Sequence, residues 1–204
     1  MKRTATSIVA LAFALLAGCG AARPNKYFAL TVPGNASAVA ADPDPYPVTL
    51  LLGPLRASHL YREDHIVYSS SAEAMGTYEY DRWSEPPTEM LVEVLLRSLR
   101  TSGKFRAVDV LRSNSHGDYV LIGRLYDFKE VSGSPLLARV TMELQMRETK
   151  SGSTVWTHYY SHDEPVEGKN VSAVVAALDR NAQRGVSEVK SSLEGYFSAH
   201  AQKN

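Results

Sequence analysis

The chain has 204 residues, enough for one ordinary domain with short appended segments. Its 22 lysines and arginines balance 22 aspartates and glutamates, so no net field gathers nucleic acid. The lone cysteine excludes an internal disulfide, a zinc site of several thiolates and a CxxC redox pair.

Lys2 and Arg3 precede an unbroken apolar run, residues 8–17. Ten helical residues rise about 15 Å, half a bilayer core, so residues 1–18 read as a signal peptide and not as a span. The run closes on Leu16-Ala17-Gly18-Cys19, which resembles the bacterial lipobox. That resemblance implies a diacylglyceryl group on the Cys19 thiol, cleavage just before it, and Cys19 as the mature amino terminus. The competing reading, ordinary cleavage after Ala22, would discard Cys19 with the leader. Three acyl chains anchor firmly where one holds only marginally. Gly20 stands where an aspartate is the usual inner-membrane retention signal. The expected location is therefore the periplasmic face of the outer membrane, by resemblance to other bacterial lipoproteins.

Residues 19–26 form a short tether and 27–200 a single domain. "YFAL" from Tyr27 opens a first strand, and residues 33–47, with four prolines, read as an exposed connector. "VTLLLGPL" at 48–55 predicts a buried strand stopped by Gly53-Pro54. "HIVYSS" at 65–70 and "GTYEYDRW" at 76–83 predict a hairpin. Over 84–103, Met90, Leu91, Val94, Leu95 and Leu99 recur at helical spacing, with Ser84 near the amino cap and Gly103 as the stop.

"FRAVDVL" at 105–111 and "YVLIGRLYDF" at 119–128 follow as strands. In "RVTMELQMRE" at 139–148, Val140, Met142, Leu144 and Met146 alternate with polar residues. A turn at 150–153 returns the chain into "TVWTHYYSH" at 154–162, which predicts an antiparallel meander. From Asn170 to His200 an apolar stripe at three- and four-residue spacing predicts a long helix covering the sheet, with Gly185 as a candidate kink. The fold class is α+β: an antiparallel or mixed sheet of about five to seven strands packed by two main helices.

No nucleophile elbow, HExxH, phosphate-binding glycine loop or dinucleotide fingerprint occurs. His158 and His162 fall on a strand, where four residues span about 13 Å, too far for one ion. Asp42 and Asp44 lie in the connector, and Asp163-Glu164 before Pro165 reads as a solvated turn. No catalytic residue, metal ligand or cofactor is predicted. Tyr61, Tyr68, Tyr78, Tyr80 and Trp83 gather in one third of the chain, either as packing under the helices or as an amphipathic contact surface.

The lipobox, "YFAL", "VTLLLGPLRASHLYREDHIVY", "YDRWSEPPTEMLVEVLLRSLRTSGKF", the meander and the terminal helix together resemble the ABC-type transport auxiliary lipoproteins, which include the paraquat-inducible C lipoprotein. The most characteristic part is Trp83-Ser84-Glu85-Pro86. "SHLYRED" keeps Leu60 and the charged residues but lacks the family's usual proline. The resemblance implies a domain similar to the amino-terminal domain of the TolB translocation protein and a non-enzymatic role. It implies as partners a mammalian-cell-entry-type periplasmic protein, its ABC transporter, the membrane through the lipid anchor, and further copies of the chain, but no nucleic acid. Leu60, Tyr61 and Trp83 are the candidate partner-binding residues. An alternative reading is a TolB-like lipoprotein regulator of cell-wall synthesis, against which the short tether argues.

Overall fold

The computed structural model describes residues 23–32, 46–71 and 73–201; Cys19 with its lipobox, and connector residues 33–45, lie outside them. The elements run β1 (Lys26–Phe28), β2 (Tyr46–Ala57), β3 (His65–Ser69), β4 (Met75–Trp83), α1 (Pro87–Ser102), β5 (Phe105–Val110), β6 (Tyr119–Val131), β7 (Leu137–Glu148), β8 (Thr154–Pro165) and α2 (Val171–Ala201). All the strands join one mixed sheet. Among the described residues it has eight strands, one above the expected range, because even the three-residue β1 pairs, parallel to β4.

The long strand β6 organises the sheet. It pairs antiparallel with β7 over its whole length, while β2 pairs with residues 119–125 and β3 with residues 129–131, both parallel. A strand has only two hydrogen-bonding edges, so β2 and β3 lie end to end along one edge of β6 and β7 takes the other. The β5–β2 pair and the β1–β4–β3 group thus become two wings beside a β6–β7–β8 meander.

Each helix begins and ends where its sequence dictates. α1 starts with Pro87 in its first turn, has Glu89 near its amino end and Arg100 near its carboxyl end, and stops at Gly103, whose φ of 64° is the left-handed cap that suits glycine. Ser84 does not cap it; its N–H instead donates to Phe28 O at 2.7 Å, serving β1. α2 is capped by Asn170, whose Oδ1 accepts the Ala173 N–H at 2.9 Å. It continues unbroken through Gly185.

Both helices cover one sheet face and touch each other. Val140, Met142, Leu144 and Met146 of β7 meet Val174, Leu178, Val186, Val189 and Leu193 of α2 in a single core with α1 and β2. Gly185 sits where a Cβ would lie 2.8 Å from Met142 Cε and 2.8 Å from the Tyr160 ring, so close helix-to-sheet approach, not a bend, explains this glycine. Tyr46, placed by sequence in the connector, opens β2. Its hydroxyl bonds Ser198 Oγ at 2.6 Å, and its ring packs 5.6 Å from Phe197.

The run at Gly53-Pro54 does not end β2; the strand shifts register between Leu52 and Leu55 and continues to Ala57. β8 likewise runs on through Asp163 and Glu164, which are strand residues and not a turn. Arg139 of β7 grips Asp163 with two hydrogen bonds of 2.7 Å, while Arg180 and Arg184 of α2 each approach Glu164 at 3.2 Å. The Arg139 hydrogen bonds hold the Asp163 carboxyl below its ordinary range. Burial pushes Glu164 up, but Arg180 and Arg184 together outweigh it and hold it below its ordinary range.

Gly185→Ala should lower stability by roughly 1–2 kcal/mol, overpacking outweighing the gain in helix propensity. Gly195→Ala, with open space around the same helix, should raise it by up to about 1 kcal/mol; urea midpoints compare the two. For the depressed carboxylates, the unfolded chain binds protons first as pH falls, so their stabilisation is complete above about pH 5 and is lost as pH drops through the folded values. The stability gap between the native chain and Asp163→Asn/Glu164→Gln should therefore stay constant from pH 7 to about pH 5 and narrow steadily as pH falls below it.

Candidate functional site

Two segments singled out by sequence, 58–64 and 83–89, converge in space. A single 3-10 turn, His59–Tyr61, leads into "RED", and Asp64 O accepts the Trp83 N–H at 2.6 Å while its carboxylate pairs with Arg82 at 2.9 Å. Trp83 is 0% and Tyr61 1% exposed. The Trp83 ring lies 5.4 Å from Phe128, and burial together with the Asp127 carboxylate pushes the Tyr61 hydroxyl up to about 12. Neither side chain offers a surface to a partner, which corrects the sequence expectation for both: they are core anchors. The alternation of β4 turns its last residue, Trp83, towards the helices. Leu60 is half-buried against the same core and keeps a face outside.

Over these anchors opens a groove of about 660 Å³. Its walls are the register break of β2, the head of α1 and the end of β5. Val92, Val110 and Leu111 give it an apolar lining, the last two each 38% exposed. Glu85, Glu89 and Glu93 stand on its rim opposite the single cation Arg62. Glu93 also meets Arg97 at 3.5 Å within α1. An acid-rimmed apolar channel suits an extended or helical segment carrying apolar and basic side chains. The local sequence gave half of this surface, the "WSEPPTE" head of α1; the other half comes from β2 and β5, which only the tertiary fold brings alongside.

Among the described residues no three His, Cys, Asp or Glu side chains come together as a metal site. His158 stacks on Trp156 at 5.8 Å, His162 meets Glu164 at 3.5 Å, and His59 pairs with Glu63 at 3.3 Å. The first two contacts run along β8 and the third stays within one loop; His162 also lines a depression of about 540 Å³ with Asp127, Arg139 and Asp163. No helix among the described residues is long and apolar enough to cross a membrane.

The amino-terminal segment is lashed to the body of the domain. Lys26 Nζ donates to Ser172 Oγ at 2.9 Å, the Thr31 N–H and hydroxyl both donate to Asp179, and Gln183 reaches Thr31 O. β1 pairs with β4 in the sheet, and the segment that follows it is held by α2.

No curated protein matches the chain. In structure it is similar to a Xanthomonas campestris protein of the DUF330 family, at 19% identity and a TM-score of 0.73, covering 88% of this chain and 100% of that one. It is also similar to an uncharacterized protein of known structure, at 12% identity and a TM-score of 0.64, covering 84% and 99%. A hypothetical protein from Chlamydia trachomatis matches at 11% identity and a TM-score of 0.51, covering 75% and 99%. At these identities the likeness establishes the fold alone. The model of the ABC-type transport auxiliary lipoprotein component matches residues 28–189, a span from β1 through most of α2 that takes in the buried Trp83 anchor and the acid-rimmed groove. The chain belongs to that family.

Proposed function

We propose that the protein is a non-catalytic auxiliary subunit of an ABC-type system that carries lipid between membranes. It is held at the periplasmic face of the outer membrane by acylation of Cys19, and its groove docks a mammalian-cell-entry-type protein or a transporter subunit. The observation that carries this reading is the groove, built from the same "YRED" and "WSEPPTE" segments that carry the family resemblance, with an apolar floor and a surplus of acids. Leu60, half-buried two residues before the groove's Arg62, adds an apolar contact in this reading.

The tether supports the anchoring part. With β1 in the sheet from Lys26, only residues 20–25 separate it from Cys19. Six extended residues reach at most about 22 Å, so the domain would sit against its own membrane. That reach disfavours a regulator that must cross the cell wall.

Affinity capture of the full chain from membranes should recover a mammalian-cell-entry-type protein or a transporter subunit. Glu85→Lys/Leu111→Ser, both exposed, should keep the fold and reduce that recovery at least about ten-fold, as loss of an interfacial charge and an apolar contact would. Recovery of neither partner by the native chain contradicts the transport role; equal recovery by the variant moves the interface away from the groove. Trp83→Ala should lose partner binding only by losing the fold, with a cost of about 3–5 kcal/mol visible in thermal melts.

A further inference from the structure

The sheet face turned away from the helices carries a charge arrangement that neither the core nor the groove uses. Arg56 of β2 and Arg124 of β6 are register partners on adjacent parallel strands. Like charges placed directly opposite each other destabilise a sheet, so this pair costs stability unless something stands between the two groups. Arg147 of β7, whose register partner on β6 is Val120, lines the far end of the same depression, which measures about 400 Å³, so its long side chain has to lean along the sheet to reach the Arg56–Arg124 pair. Among the described residues, no carboxylate lies within 4.0 Å of any of the three guanidinium groups, whereas Arg82, Arg97, Arg100, Arg139, Arg180 and Arg184 each have an acidic partner. The one carboxylate in the depression, Glu143, faces Arg124 across the β6–β7 register, but its Oε1 accepts a hydrogen bond from Gln145 Nε2 at 2.8 Å. Three cations thus face one anion.

The backbone shapes this place. β2 shifts register between Leu52 and Leu55, and β6 shifts between Leu125 and Asp127, so the Arg56–Arg124 pair lies between two irregularities. Such breaks re-aim side chains. Tyr126, in the second break, is 43% exposed, and its ring centroid lies 5.5 Å from the Arg124 Cζ. That contact gives the guanidinium a lateral support while leaving its N–H fork free.

We propose that this depression is a binding site for a phosphoryl anion, a phosphate ester whose oxygens are shared by Arg56, Arg124 and Arg147. Guanidinium forks match phosphate oxygens in pairs, and the anion converts the repulsion between Arg56 and Arg124 into two charge-assisted attractions. The chain's zero net charge is compatible with this, because the field needed is local. The inference stands on the sheet face alone and does not rest on the transport reading.

The test titrates the full chain in neutral detergent with three probes: inorganic pyrophosphate, dihexanoyl phosphatidylglycerol, and dihexanoyl phosphatidylcholine, whose own choline neutralises its phosphate. Calorimetry and the arginine Nε–Hε resonances supply the readouts. Saturable binding of pyrophosphate or phosphatidylglycerol should shift the signals of the three arginines and raise the melting temperature. Arg56→Gln/Arg124→Gln/Arg147→Gln should weaken binding at least about ten-fold, the triple lysine variant several-fold, and Arg106→Gln/Arg112→Gln not at all. Phosphatidylglycerol binding with phosphatidylcholine silent identifies a lipid headgroup as the source; pyrophosphate binding without phosphatidylglycerol binding identifies a free phosphate ester. Absence of saturable binding by both anionic probes, native-like binding by the triple glutamine variant, or equal loss in the Arg106/Arg112 control overturns the proposal.

Discussion

One buried amide seats the long helix on the sheet. Asn181 is 0% exposed, and its Nδ2 donates to Ala138 O of β7 and His162 O of β8, both at 2.8 Å, while its Oδ1 accepts the Tyr160 hydroxyl at 2.5 Å. An unmet polar group at that depth would cost about 1–3 kcal/mol, so α2 settles only at the rotation and height that satisfy these bonds together. Gly185, one turn further on, lets the backbone approach Met142 and Tyr160 at that height. An interface of Val, Leu and Ala alone would tolerate sliding; the amide and the missing Cβ remove that freedom.

The rest of the molecule hangs from the seated helix. Near its start, Ser172, Asp179 and Gln183 hold the segment from Lys26 to Thr31. Near its end, Phe197 packs among Tyr46, Phe105 and Tyr119, closing the end of the β5–β2 wing against β6. The same helix therefore holds the Lys26–Thr31 segment and fixes how the β2–β5 wing stands beside the meander. The groove and the arginine-lined depression are both products of that wing, since Gly53-Pro54 breaks the register of β2 on one side and Arg56 follows it on the other.

Periodic burial was legible in the sequence. The alternation of Val140 through Met146 and the stripe from Val174 to Phe197 each report a single face turned to the core, and a period is a local property. Pairing between distant segments left no such trace. Nothing within "KYF" announces a strand parallel to β4, and nothing near Asn181 announces two carbonyl partners on other strands. Asp163-Glu164-Pro165 has turn composition, yet three arginines from β7 and α2 hold the acids in β8. Tyr61 and Trp83 carried the right segments and the wrong depth, because an aromatic residue at a strand end suits either a core or a surface until the covering helix is known. Arg56 and Arg124 are scattered in sequence and become neighbours only through the β2–β6 register, with Arg147 of β7 at the far end of the same depression.

The proposed role as a holder of other molecules depends on acylation of Cys19 keeping the domain beside a bilayer. Intact-mass spectrometry of the mature protein extracted from membranes addresses that claim directly. The expected result is a chain beginning at Cys19 with the added mass of a diacylglyceryl group and an amide-linked acyl chain. A mature terminus downstream of Cys19, with no acyl mass, would contradict it.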